Sequence, residues 1–248
     1  MAVTAAPGMA GTDSLALLQR AIRLFLLLLV CGDLVYMALH IGHLTTPALS
    51  GRHFSLEVDG GLAEFYQYTK ELWLALCLAI AFHGRRHPVL LAWSGFFGFL
   101  LLDDALRLHE RMGIWLGRRF GLPAVAGLRP DDFGELLVAA VVAGSLLAVL
   151  ALAWWRDRES TWRLSRRLLI LTVALGVCGV IVDTLHVIAY FRAPAISDLL
   201  AFIEDGGELL IVSLLATHAL DLAVRSGEPL ELRRLLLGGP QPVSAEAA

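Results

Sequence analysis

The stretch FLLLDDALRLHER, residues 99–111, decides how this chain is read. It opens as sequence fit for a lipid bilayer and then sets Asp103, Asp104, His109 and Glu110 where lipid-facing leucines belong. A hydrocarbon core about 30 Å thick needs about 20 apolar residues per helix. Six stretches of that kind occur, at roughly 20–43, 62–83, 88–115, 133–155, 167–190 and 199–222. The chain is 57% hydrophobic with mean hydropathy +0.69, which places it among polytopic membrane proteins rather than soluble domains. The first stretch follows Arg20 and Arg23 but has no small-residue cleavage site after it, so it reads as a retained helix.

The expected fold is therefore all-α and integral to the membrane: a six-transmembrane-helix bundle built as three helical hairpins. Residues 1–13 form a flexible N-terminus, 14–222 the transmembrane domain and 223–248 a C-terminal tail. Arginines set the orientation. They crowd HGRRH (83–87), RDRESTWRLSRR (156–167) and the tail with Arg225, Arg233 and Arg234, whereas the connection between the fifth and sixth helices has only Arg192. The positive-inside rule then puts both termini in the cytoplasm. The loop holding Arg111, Arg118, Arg119 and Arg129 dissents, but an even helix count still fixes its side.

The even helices share a phrase in YTKELWLAL, DDFGELLVAA and EDGGELLIVS, which aligns Glu71, Glu135 and Glu208. The odd helices share an Asp followed by a His: Asp33 and His40, Asp103 or Asp104 and His109, Asp183 and His186. Residues three, four or seven apart lie on one helical face. Asp33, Tyr36, His40 and His43 form such a stripe, as do Glu64, Tyr68 and Glu71, and Asp183, His186 and Tyr190. Asp103, Arg107 and Glu110 line up as well, but His109 falls off their line, so either it faces another neighbour or the helix is distorted there. With the N-terminus inside, all these groups fall in the outer half of the membrane, and the inner halves carry no charge.

An Asp at membrane depth costs about 2.5–3.5 kcal/mol on insertion scales. Asp33, Asp103, Asp104 and Asp183 together would cost roughly 10–14 kcal/mol, comparable to the stability of a whole domain. Protonation, arginine pairing through Arg107 and Arg111, or a metal could compensate. The supply of carboxylates and imidazoles suits iron, zinc or manganese, one or two ions per chain. Asp183-x-x-His186 has the carboxylate-x-x-His spacing of dinuclear helical-bundle sites, although in a single copy. The metal-ligand candidates are Asp33, His40, Asp103, Asp104, His109, Glu135, Asp183, His186, Glu204 and Glu208, with Glu71 or Glu110 as acid/base.

Plainer readings compete. Asp131, Asp132 and Asp205 lie where helices begin and read as N-caps, while a cap reading is not open to Asp103 or Asp104. His43, His53, His83 and His87 read as interfacial, and His218 as structural. Lys70, the single lysine, reads as lying at a helix entrance beside Glu71. Cys31, Cys77 and Cys178 read as small buried hydrophobes. Net charge −3 makes nucleic acid a poor partner. No G-x-S-x-G, phosphate loop or H-E-x-x-H motif is present.

LDDALRLHER (102–111) with IEDGGELL (203–210) resembles a pattern in uncharacterised bacterial polytopic inner-membrane proteins, which pair an acidic-acidic…His-Glu helix with a later Glu-x-x-x-Glu helix. The likeness marks Asp103, Asp104, His109, Glu110, Glu204 and Glu208. It implies a bacterial polytopic inner-membrane protein and carries no activity; with the outer-half placement above, the polar chamber would face the periplasm.

Three functions follow as expectations. The first is a metalloenzyme, hydrolase or oxidoreductase, acting on a lipid-like or small apolar substrate with membrane lipid around it. The second is a divalent-cation or proton transporter or sensor using the same carboxylates. The third is structural, with protonated acids hydrogen-bonding between helices.

Overall fold

The structure is a computed structural model and describes residues 9–124, 128–190 and 193–226. Arg192, Arg233, Arg234, residues 1–8 of the expected N-terminal segment and 227–248 of the expected tail lie outside the described residues, while residues 9–13 open α1. Among the described residues eight α-helices run in order: α1 Met9–Thr45, α2 Leu62–Arg85, α3 Pro88–Leu106, α4 Leu108–Phe120, α5 Pro130–Arg156, α6 Arg158–Gly176, α7 Asp183–Tyr190 and α8 Pro194–Ser226. A π-helical stretch, Val177–Val182, joins α6 to α7.

Among the described residues four spans are long and apolar enough to cross a membrane: Leu15–Thr45, Pro88–Leu106, Pro130–Arg156 and Arg158–Tyr190. The chain is thus an all-helical protein with membrane-spanning character. α2 and α8, which carry more charge, pack against each other along the bundle, with α3 beside α2 and α1 and α6 beside α8. This arrangement follows from the solvent. Helices bearing Lys70, Glu71 and Ser213 turn those groups inward, where Leu74, Leu78, Trp93, Phe97, Leu168, Leu215 and Ala219 form the core. Their apolar neighbours expose Leu27, Leu28, Val141, Ile170 and Val173 outward. Trp93 is fully buried, and its indole N–H donates to Ser165 Oγ at 2.9 Å, so the large ring leaves no orphaned donor. Cys31 is exposed and Cys77 and Cys178 are half-buried, so full burial is not the rule for the cysteines.

Local chemistry sets the ends of the helices. Pro88 and Pro130 open α3 and α5, where a missing N–H costs nothing. Asp132 closes a capping box on α5: its carboxylate accepts from Arg129 N–H at 2.6 Å and from the Arg129 guanidinium at 2.8 Å. Asp157 caps α6 by accepting from Ser160 N–H at 3.1 Å, and Ser160 holds that exposed carboxyl below the usual range. His87 Nε2 lies 3.5 Å from Asp157 Oδ2, and Gly84 abuts Ser226. The arginine-bearing ends of α2, α5 and α8 therefore gather at one end of the bundle.

Three expected helices differ in detail. The continuous helix expected over 88–115 is broken at Arg107, which adopts a left-handed conformation with φ 54° and ψ 47°. Asp103 spans the break. Its Oδ1 accepts from His109 N–H at 2.8 Å, so the carboxylate caps α4 across the break and replaces the carbonyl that a continuous helix would have offered. A capping role is open to Asp103 after all, and Asp103, Arg107 and Glu110 do not form a helical stripe. Arg107 is tied instead to Asp59 at 2.6 Å and Glu110 at 2.9 Å. The helix expected from 167 starts at Arg158. The helix expected from 199 starts at Pro194, which puts Asp205 well inside α8 and removes its cap role.

α4 lies against α5 through glycines. A methyl group on Gly134 would fall on the Gly113 backbone, 2.7 Å from its Cα, and one on Gly117 would lie 2.9 Å from Pro130 O. Gly134→Ala is therefore expected to push α4 from α5 and lower stability by about 1–3 kcal/mol. Gly144→Ala, with nothing within 4 Å of the added carbon, should be neutral or slightly stabilising. Unfolding midpoints of the two variants in detergent check this, and equal midpoints would refute the close-contact account.

Candidate metal centre

At the end of the bundle away from the gathered arginines, acids from five helices converge. The break after α3 folds Asp103, Asp104 and His109 together, so that each offers one ligand atom and these atoms lie within 4.8 Å of one another. His109 Nδ1 sits 3.1 Å from Asp103 Oδ2. In a straight helix His109 would point away, so the capping bond at Asp103 also builds this triad. Asp183, His186 and Glu204 form a second triad within the same 4.8 Å limit, with His186 Nδ1 3.3 Å from Glu204 Oε2.

The π-helical stretch positions the second triad. A π turn adds a residue per turn and rotates everything after it, here Asp183 and His186. It also brings backbone close to α8. A Cβ on Gly179 would collide with Glu208 Oε1, and one on Gly207 would lie 2.8 Å from Cys178 Sγ. Glu208 crosses the α6–α7 backbone only because residue 179 has no side chain.

Carboxylates from α2, α5 and α8 link the two triads. Glu71, 3% exposed, lies beside the Asp104 carboxyl of α3. Gln67 Nε2 donates to Glu208 Oε2 at 3.3 Å, and Glu208 neighbours both Asp104 and Asp183. Glu135 feels His109 on one side and Asp183 on the other. Glu71 Oε2 is buried with no hydrogen-bond partner. Glu110 sits at the rim, a third exposed, bonded to Arg107. Tyr68 OH contacts Glu64 and lies 3.2 Å from Asp104 O. The α1–α2 connection covers this end, since Glu57 and Asp59 both neighbour Asp205 and Asp59 pairs with Arg107.

Two candidate ligands fall outside the cluster. Asp33 is fully buried and both its oxygens are engaged, Oδ1 by Lys70 Nζ at 2.7 Å and Oδ2 by Ser213 Oγ at 2.6 Å. His40 Nδ1 accepts from Leu56 N–H at 3.1 Å. A backbone N–H can only donate, so the neutral ring carries its proton on Nε2 and keeps no lone pair for a metal. His40 anchors the covering loop.

Lys70 is the residue that sequence reasoning misplaced. It is fully buried rather than at a helix entrance, and its ammonium meets Asp33 Oδ1 at 2.7 Å, Leu209 O at 2.7 Å and Ser213 Oγ at 3.2 Å, with the Tyr66 ring 4.6 Å away. Three donors find three acceptors, and α1, α2 and α8 are locked together. The available signal was a lone lysine eight residues inside an apolar helix, in a chain whose other cations are all arginine.

No curated protein and no solved structure matches the chain. A family model described as a domain of unknown function, DUF8692, matches residues 21–222. That stretch runs from within α1 to the last turns of α8 and contains both triads, the linking carboxylates and the Lys70 lock, so the chain belongs to the DUF8692 family.

Proposed function

We propose that this chain is an integral membrane metal-binding protein, a metalloenzyme with one or two ions of iron, zinc or manganese in a carboxylate–histidine centre. Its substrate is lipid-like or a small apolar molecule reaching the centre from the bilayer. The observation that supports this most directly is the buried, unpartnered Glu71 Oε2 amid Asp104, Glu208 and the two triads. Three cations near this end are already engaged, Lys70 by Asp33, Arg107 by Asp59 and Glu110, and Arg129 by Asp132. A divalent ion is the economical counter-charge for so many desolvated carboxylates.

Asp103, Asp104 and His109 would hold one ion and Asp183, His186 and Glu204 another, with Glu135 and Glu208 between them. A bound ion of this class acidifies water and polarises oxygen groups. Glu71, buried beside Asp104 with Oε2 unpartnered, is suited to accept and return a proton. Glu110, held by Arg107, would do so at the rim. The setting we propose is a bacterial inner membrane crossed by six helices in three hairpins, with both termini cytoplasmic and the centre facing the periplasm. The gathering of HGRRH, RDRE and the end of α8 at one end supports that orientation.

A second reading, a cation or proton transporter or sensor, draws support from the Glu71–Asp104 carboxyl pair, since such a pair can exchange a proton for an ion. Elemental analysis of detergent-purified protein after chelator treatment separates the two. Stoichiometric, chelator-resistant metal is expected. Weakly held, exchangeable metal would favour transport, and no metal at all would overturn both.

A further inference from the structure

The far end of the bundle holds a second feature, independent of the metal reading. A trough of about 410 Å³ runs between α1, α6 and α8, within the range of about 300–1,000 Å³ common for small-molecule sites. Its walls are Ile22 and Leu26, Ile170 and Leu171, and Leu214, while Arg167, Thr217, His218 and Asp221 stand at its polar end. His218 lies ten residues past Glu208 on α8, about 15 Å along the axis at 1.5 Å per residue. The trough therefore does not belong to the acidic cluster.

We propose that this trough is a site for one anionic phospholipid, its acyl chain along the apolar walls and its phosphate on Arg167. Three observations carry the assignment. Arg167 is exposed and makes no ion pair or hydrogen bond among the described residues, whereas the neighbouring acid, Asp221, is already held by Arg225 at 2.5 Å. A guanidinium with all its donors free matches a phosphate in a two-pronged contact. Exposed Arg20 and Arg23 on α1 and Arg166 on α6 belong to the same end, so the field there favours an anionic over a zwitterionic headgroup. Ile22, Leu26, Ile170, Leu171 and Leu214 line a path for a hydrocarbon tail, on α1 and α6 of membrane-spanning character and on α8, which a free phosphate ion would leave unused.

Native mass spectrometry of the detergent-purified full chain tests the site, with phosphatidylglycerol and phosphatidylcholine supplied in equal amounts. One phosphatidylglycerol should be retained, preferred by about tenfold, the scale of one charge-assisted contact. Arg167→Ala should abolish the preference, and because that side chain is exposed the unfolding midpoint should not move. Leu214→Trp, which fills the trough without touching charge, should lower retention of both lipids. Equal retention of the two lipids, as for a merely annular contact, would overturn the site. An undiminished preference in Arg167→Ala, unchanged retention in Leu214→Trp, or displacement of the lipid by millimolar inorganic phosphate would do the same.

Discussion

Lys70→Met should destabilise the protein by about 3–5 kcal/mol, the cost of breaking a buried ion pair by removing one partner. The substitution keeps the aliphatic volume but strands Asp33 in the core, and it takes a hydrogen bond from Leu209 O and another from Ser213 Oγ. A stability of about 5–15 kcal/mol would lose a large share to one atom. The double variant Asp33→Leu/Lys70→Met should recover most of that loss, because exchanging a whole buried pair for apolar residues of similar volume is often neutral. Unfolding midpoints in detergent read both. If the single variant unfolds within about 1 kcal/mol of the parent, near the modest value of an ordinary interhelical hydrogen bond in a membrane, then Lys70 does not hold the helices together.

The second large effect concerns the metal centre. Asp183→Asn/His186→Ala removes two of the three ligand candidates on the α7–α8 side. Metal affinity should fall by more than about 100-fold, beyond the about 10–100-fold that disturbing an outer partner costs. Asp104→Asn/His109→Ala tests the other triad. Halved stoichiometry in each double variant would mean two ions, while complete loss in both would mean one shared ion. Gly179→Ala should fall between these and the parent, since it displaces Glu208 without removing a ligand. Asp33→Asn should leave bound metal unchanged, because both Asp33 oxygens are already engaged. Metal retained in full by both double variants, measured by elemental analysis, would leave the acids without the role proposed for them.

Helical class and membrane character were legible because bilayer length and hydropathy are local properties, and each expected stretch is helical in the structure, though one is broken at Arg107 and others start up to about ten residues earlier. The two triads were legible in part for a related reason. An acid in an apolar helix is costly wherever it points, so Asp103, Asp104, Asp183 and Glu208 stood out one residue at a time. What linear spacing could not show was their pairing. Glu71 meets Asp104 and Gln67 meets Glu208 across 141 residues. The break at Arg107 escaped the periodicity because a side chain, Asp103, stands in for a helical carbonyl at the His109 N–H. A hydrogen bond worth about 1 kcal/mol leaves no trace in a hydrophobic pattern.

By itself, the sequence determined that this chain is helical, lipid-compatible and burdened with ionisable groups that need partners. The tertiary structure alone decided who the partners are. It took Asp33 out of the acid set by giving it Lys70, spent His40 on the covering loop, and brought Asp183, His186 and Glu204 within reach of one another through a π-helical turn. The physical reason is that the cost of burying charge belongs to each residue separately. Its compensation depends on distances of a few ångströms between segments far apart in the chain, and only packing sets those.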